Sequence, residues 1–213
     1  MASFKSHISF GAITAIFVIS WMVYVSLISM AHAPFFFILT IVSSMLPDLD
    51  SDTGIPVRVL FSVLAFIGVT GVFLTNSGSA EFFWKDKVTD SFLVFLTIYF
   101  GIRGLFKFLT VHRGIFHSIP AAFLMGLIGM TIAEYYQFET KLAVGFAISS
   151  GYLCHLVLDE LNSAINMDGT TFKPKKSLGT ALKLYSANKV ITVIIYLAII
   201  ILVLINDDLF HRL

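Results

Sequence analysis

Residues 142–161 read LAVGFAISSGYLCHLVLDEL, and this run decides the fold class. Twenty mostly apolar residues form a helix about 30 Å long, which matches the hydrocarbon thickness of a bilayer. Near its end, however, the run carries His155 and Asp159, and ionisable groups within a membrane helix are costly and usually functional. The stretch therefore predicts a membrane-spanning helix with a functional site at one end.

The composition of the whole chain is also that of a membrane protein. Of its 213 residues, 57% are apolar and 13% are charged, against roughly 25% charged residues in a soluble domain. The net charge of +1 provides no field that would attract a nucleic acid. The single cysteine, Cys154, excludes an internal disulfide and a Cys-rich metal site. We predict an all-α integral membrane protein with one domain, residues 1–213, and no nucleic-acid partner.

Hydropathy predicts a polytopic bundle of about seven transmembrane helices. The apolar runs are Ile8–Met30, Phe35–Leu46, Val57–Thr75, Phe92–Leu109, Ile115–Ala133, Leu142–Leu161 and Val190–Ile205. The second run has only about a dozen residues, so it either crosses a thinned bilayer or ends inside the protein.

The positive charges predict the orientation of the bundle. With the N-terminus in the cytoplasm, ten Lys and Arg lie on the cytoplasmic side: Lys5, Arg58, Arg103, Lys107, Arg113, Lys173, Lys175, Lys176, Lys183 and Lys189. Four lie on the other side: Lys85, Lys87, Lys141 and Arg212. This asymmetry follows the positive-inside rule, which the reverse orientation would violate.

In that orientation, four groups of ionisable residues lie at cytoplasmic helix ends. They are His7; Asp48, Asp50 and Asp52; His112 and His117; and His155 and Asp159. Because His155 and Asp159 are four residues apart, they share one helix face and can reach one cation. The alternative for this pair is a hydrogen bond on a buried polar face. The four groups together predict one metal site at the cytoplasmic helix ends.

The residue types in these groups determine the metals to expect. Imidazole and carboxylate suit zinc, with manganese or iron as alternatives, and the set is large enough for two or three ions. Three carboxylates close together in Asp48-Leu49-Asp50-Ser51-Asp52 repel each other unless cations bridge them or water solvates them. Two ions about 3.5–4 Å apart activate water and bind both the attacking and leaving oxygens of an ester or phosphate.

The segment His112-Arg113-Gly114-Ile115-Phe116-His117-Ser118 predicts a turn rather than a helix. Five residues of helix would separate the two imidazoles by about 140°, whereas a turn at Gly114 brings them together. Ser118 is the expected N-cap of the next helix. Arg113 is the candidate to bind an anionic substrate oxygen, and the alternative is that it marks the membrane interface.

Four motifs, in this order, resemble the YdjM family of inner-membrane proteins. They are Ser6-His7-Ile8-Ser9-Phe10-Gly11, Leu46-Pro47-Asp48-Leu49-Asp50, His112-Arg113-Gly114-Ile115-Phe116-His117-Ser118 and Gly151-Tyr152-Leu153-Cys154-His155-Leu156-Val157-Leu158-Asp159. The family is described as LexA-regulated, membrane-bound, metal-dependent hydrolases. The resemblance implies a multi-pass hydrolase of the cell inner membrane whose metal ligands are His7, Asp48, Asp50, His112, His117, His155 and Asp159.

That family is in turn similar to zinc-dependent phospholipase C and P1-type nucleases, in which a His-x-x-x-Glu pair corresponds to His155 and Asp159. By analogy, the likeness implies hydrolysis of a phosphoester, on a small molecule or a membrane lipid. Arg113 would then bind the anionic group and Asp52 would act as the general base. The oligomeric state stays open.

Two other functions are compatible with the same residues. A divalent-cation transporter also holds its ion with His and Asp, although usually near the bilayer midplane, and Arg113 would repel a cation. A metal-stabilised membrane protein without activity would have a closed ligand shell and no position for water.

Overall fold

The computed structural model describes residues 4–50, 55–75, 85–102, 104, 117–164, 179, 181–185 and 188–207. Within these residues the regular structure is helical, with seven α-helices and one isolated β-bridge. The helices are α1 (Phe4–Tyr24), α2 (Ala33–Ser43), α3 (Ile55–Thr75), α4 (Lys85–Leu96), α5 (Ile119–Ile132), α6 (Phe138–Ala164) and α7 (Lys189–Ile205). This confirms the predicted all-α class and the predicted helix number for the described part of the chain.

Two 3-10 helices and one π-helix extend the α-helices. The 3-10 helices Met30–His32 and Leu46–Asp50 lie before and after α2, and the π-helix Thr97–Ile102 continues α4. With these additions, the second apolar segment reaches 19 residues, Met30–Asp48, although α2 itself has 11. By length and composition, this segment is therefore a candidate for a full crossing, and the two expectations for the second run stay predictions.

Three segments among the described residues are long and apolar enough to cross a membrane. They are Lys5–Tyr24, Met30–Asp48 and Phe138–Ala164, chosen by length and composition. Helices α5 and α7 are apolar but shorter, with 14 and 17 residues. The fifth apolar run is longer than α5 because the helix begins only after the cap at Ser118.

The chain divides into two compact units, which are described separately. One comprises residues 48–112, in which α3 packs against α4 and the π-helix. The other comprises residues 1–47 and 113–213. In this unit α6 packs against α1, α2 and α5, and α7 packs against α5. Helix α6 therefore organises the larger unit, and the prediction of one domain stays a prediction.

Small residues allow α6 to lie very close to its neighbours. At Gly151 on α6, a Cβ atom would meet the Thr40 carbonyl of α2 and would lie 2.9 Å from Ser43 Cβ. At Gly126 on α5, a Cβ atom would lie 2.9 Å from the Gly145 carbonyl oxygen of α6. Small residues at such contacts are typical of membrane helices, which associate through close packing. The backbone of α6 is thus in contact with α2 and with α5.

Candidate metal site

Four predicted ligands meet at one end of the larger unit: His7, His117, His155 and Asp159. His7 lies in the first turn of α1, His117 precedes the cap of α5, and the other two lie near the end of α6. All four side chains are buried, with 7% exposure or less. The N-terminal ends of α1 and α5 and the C-terminal end of α6 therefore share one buried polar cluster.

The Asp159 carboxylate faces all three imidazoles. Its Oδ1 atom is 3.5 Å from His7 Nε2, and its Oδ2 atom is 3.8 Å from His155 Nε2 and 4.0 Å from His117 Nε2. Two ligands of a tetrahedral zinc ion, each about 2.1 Å from the metal, are about 3.4 Å apart. A direct hydrogen bond would need about 2.7–3.2 Å. The separations fit a cation between the ligands better than they fit direct hydrogen bonds.

The ring of His155 is oriented by the backbone of α2. Its Nδ1 atom is 2.7 Å from the carbonyl oxygen of Ser44, which directly follows α2. Because a carbonyl only accepts, Nδ1 donates, and in the neutral ring the lone pair is on Nε2. Nε2 is the atom that faces Asp159. A backbone carbonyl behind the imidazole in this way is typical of histidines that bind metal.

This contact depends on the close approach of α2 and α6. Gly151 lies one helical turn before His155, and a side chain there would push the α2 backbone away. The Ser44 carbonyl would then move away from His155 Nδ1. The glycine therefore permits the close approach that brings the Ser44 carbonyl to His155 Nδ1.

His7 is stacked on His155 and is the second ring of the cluster. The ring centroids are 3.8 Å apart with an angle of 10° between the planes, whereas His117 meets His155 edge-on at 5.6 Å and 68°. Both ring nitrogens of His7 are buried, and neither makes a hydrogen bond with another described residue. An unsatisfied buried polar group costs about 1–3 kcal/mol. A metal ion would satisfy one of these nitrogens.

The described residues therefore fit a metal ion. His117, His155 and Asp159 each offer a ligand atom, and these atoms lie within 4.8 Å of one another. Three imidazoles and one carboxylate form a donor set that suits zinc. The identity of the metal and the number of ions stay predictions.

Ser118 caps α5, as the sequence predicts, and so fixes the helix start beside His117. Its Oγ accepts a hydrogen bond from the Ala121 amide at 3.3 Å, and Pro120 occupies the first turn. The Ile119 amide donates to the carbonyl oxygen of Lys183 at 3.1 Å, a contact with no signal in the sequence. The first amides of the helix are thus satisfied next to the predicted ligand.

The other predicted site residues are not placed in this cluster. Asp48 is half-buried in the 3-10 helix Leu46–Asp50 and belongs to the smaller unit, as does Asp50, so their part in the site stays a prediction. Asp52, His112 and Arg113 lie outside the described residues.

Cys154 is a buried core residue. Its Sγ atom accepts a hydrogen bond from Thr14 Oγ1 at 3.1 Å, which joins α6 to α1. Ser163 donates from Oγ to the Glu160 carbonyl at 2.7 Å. That bond is internal to the last turn of α6.

The comparisons with known proteins extend the resemblance seen in the motifs. A family model described as YdjM inner membrane protein matches residues 1–211. No curated protein and no solved structure matches the chain. The match covers every predicted site residue, while the distant likeness to zinc-dependent phospholipase C stays a prediction.

Proposed function

The chain belongs to the YdjM family of inner membrane proteins, and from this premise we propose that it is a metal-dependent hydrolase. The observation that carries the proposal is the Asp159 carboxylate, which faces three buried imidazoles at 3.5, 3.8 and 4.0 Å. Burying this many polar groups is costly unless they are paired or bind a cation. We assign the metal site to the cluster of His7, His117, His155 and Asp159.

In this proposal the four residues hold zinc, and manganese or iron are the alternatives. When bound, zinc supplies Lewis acidity for hydrolysis of an ester or phosphoester. The Ser44 carbonyl keeps the Nε2 lone pair of His155 directed at the cluster. A second or third ion needs further ligands, and Asp48, Asp50 and His112 are the residues proposed for them.

The proposed substrate is a phosphoester, carried by a small molecule or by a membrane lipid. Helices α1 and α5 both begin at the cluster, and helix N-terminal ends favour anions. Arg113 is proposed to bind the anionic group and Asp52 to accept the proton. We place the site at the cytoplasmic side because the distribution of Lys and Arg favours that orientation.

The position of the cluster also bears on the transporter alternative. His7 is the fourth residue of α1, and Asp159 is five residues from the end of α6. A transport site usually lies near the middle of the membrane, between broken helices. A cluster at helix ends therefore favours a site that a substrate reaches from the membrane surface.

The test is elemental analysis of the detergent-purified protein and of the variants His155→Ala, Asp159→Ala and Asp48→Ala. Hydrolysis of a phosphodiester and of a phosphomonoester is measured on the same samples. We expect bound zinc in the wild-type protein, and loss of zinc together with activity in each variant. His32→Ala is the matched control, because this histidine is exposed and its Nδ1 pairs with Ser29 Oγ at 2.9 Å.

Each other outcome has a definite meaning. Stoichiometric metal without hydrolysis of any phosphoester would contradict the hydrolase and favour a metal-stabilised structural protein. Zinc movement into proteoliposomes would favour the transporter. A folded wild-type protein that binds no divalent metal would contradict the proposed site itself.

A further inference from the structure

A short segment of the chain between α6 and α7 makes hydrogen bonds with α5, α6 and α7. We call it the strap, and it consists of Gly179 and residues 181–185. Within it Ala181 is buried at 6% exposure, and the Leu184 carbonyl accepts a hydrogen bond from Tyr196 of α7 at 3.0 Å. These contacts fix the position of the strap within the larger unit.

On the α6 side, the strap is bound by the side chain of Glu160. Its carboxylate accepts a hydrogen bond from the Gly179 amide through Oε1 and from the Ala181 amide through Oε2, the latter at 3.2 Å. Hydrogen bonds to an ionised acceptor are stronger than those between neutral groups. Glu160 directly follows Asp159, so the strap is tied to α6 beside a proposed ligand.

On the α5 side, the strap is bound beside another proposed ligand. Ser118 and Lys183 form a parallel β-bridge, and the Lys183 carbonyl accepts the Ile119 amide at 3.1 Å. Pro120 has no amide hydrogen, and Ser118 Oγ accepts the Ala121 amide. The strap carbonyl therefore completes the hydrogen bonding of the first turn of α5, next to His117.

We propose that Glu160 is a positioning residue for the metal site. By holding the strap, its carboxylate keeps the Lys183 carbonyl on the first turn of α5 and so keeps His117 facing Asp159. The inference rests on the proposed metal site. Glu160 contacts no metal in this proposal and acts only through His117.

The experiment is a double-mutant cycle on zinc affinity, measured in detergent by competition with a chromogenic chelator. Loss of a group that orients a metal ligand lowers affinity by roughly tenfold or more, and we expect this for Glu160→Ala. The double variant with His117→Ala should bind zinc no more weakly than His117→Ala alone, because the two residues act as one unit. Glu160→Gln keeps one carbonyl acceptor and should restore part of the affinity.

The control is Glu139→Ala, which removes an exposed carboxylate from the first turn of the same helix and should leave zinc affinity unchanged. Hydrogen exchange gives a second readout without metal. In Glu160→Ala, we expect faster exchange of the Ile119 amide and of peptides covering residues 181–185. This measurement also shows whether the variant is folded.

Any of three results would overturn the inference: wild-type zinc affinity in Glu160→Ala, additive losses in the double variant, or unchanged exchange at Ile119. Absence of zinc binding by the wild-type protein would instead contradict the proposed function, and the inference with it.

Discussion

The two halves of α6 have opposite surroundings. From Thr140 to Ile148 the helix lines, with α2 and α5, an apolar cavity of about 500 Å³. From Gly151 to Asn162 it is packed against neighbouring backbone and buries the polar cluster. One half thus has a cavity along part of its surface, and the other carries the buried polar cluster. Close backbone contacts occur in both halves, at Gly145 and at Gly151, but beside Gly151 a backbone carbonyl, that of Ser44, also orients a polar side chain, His155.

The largest difference between the two halves should appear when the carboxylate of Asp159 is replaced. Asp159→Asn keeps the shape of the side chain but removes its charge, and we expect the zinc content to fall to background and hydrolysis to disappear. Thr140→Val, in the cavity half of α6, should change neither. Elemental analysis and the phosphoester assay measure both variants. Full zinc content in Asp159→Asn would show that the carboxylate is not a ligand.

The next largest effect should come from adding one methyl group to Gly151, in the polar half of α6, or to Gly129 of α5, which packs against the cavity half. At Gly151, alanine would meet the α2 backbone at Thr40, whereas at Gly129 it would meet side-chain atoms of Ile148 and Val144. We expect Gly151→Ala to destabilise the protein by about 1–3 kcal/mol and Gly129→Ala to be nearly neutral. Thermal unfolding in detergent gives the comparison. Equal unfolding midpoints for the two variants would mean that the α2 backbone moves aside as easily as a side chain does.

A smaller and more selective effect is expected at the caps of α5 and α7. Ser118 accepts from the Ala121 amide, and Asn188 accepts from the amides of Val190 and Ile191. Replacing either cap by alanine should cost about 1 kcal/mol of stability. Only Ser118→Ala should also weaken zinc binding, because His117 adjoins that cap alone. Similar zinc affinity in the two variants would mean that the cap of α5 does not position a metal ligand.

The smallest effect should come from filling the cavity. Ala133 lines it at the end of α5, and Ala133→Leu adds apolar atoms there. We expect a gain of up to about 1 kcal/mol in stability and no change in zinc content. Ala31→Leu, at an exposed position before α2, is the control. Loss of zinc from Ala133→Leu would show that the two halves of α6 are coupled.

Much of this unit can be predicted from the sequence. Hydropathy predicts the helices, and the charge distribution places His7, His117, His155 and Asp159 at the same ends of their helices, where the structure brings them together. The cap at Ser118 follows from its side chain and from the proline after it. In each case the prediction rests on a side-chain property, namely hydropathy, charge or the ability to cap a helix.

The remaining features depend on atoms that every residue shares. The backbone carbonyls of Ser44 and Lys183 accept hydrogen bonds from His155 and from the Ile119 amide. Because every residue has a carbonyl, the sequence does not predict which ones do so. Hydropathy does not predict the 3-10 helices before and after α2, because their residues do not follow the period of an α-helix. Glu160 directly follows Asp159 in the sequence, but its role is not predictable because its hydrogen-bond partners are backbone amides about twenty positions later.

The spacing of the cluster along the chain has a consequence for biosynthesis. His7 is synthesised long before His155, the residue of α6 on which its ring stacks. A nascent chain that has not yet reached α6 carries neither this stack nor the carboxylate of Asp159. The cluster is therefore completed only after α6 has been synthesised and has folded against α1. Under the proposed function, metal loading follows the synthesis of α6, and a chain terminated before α6 lacks two of the four proposed ligands.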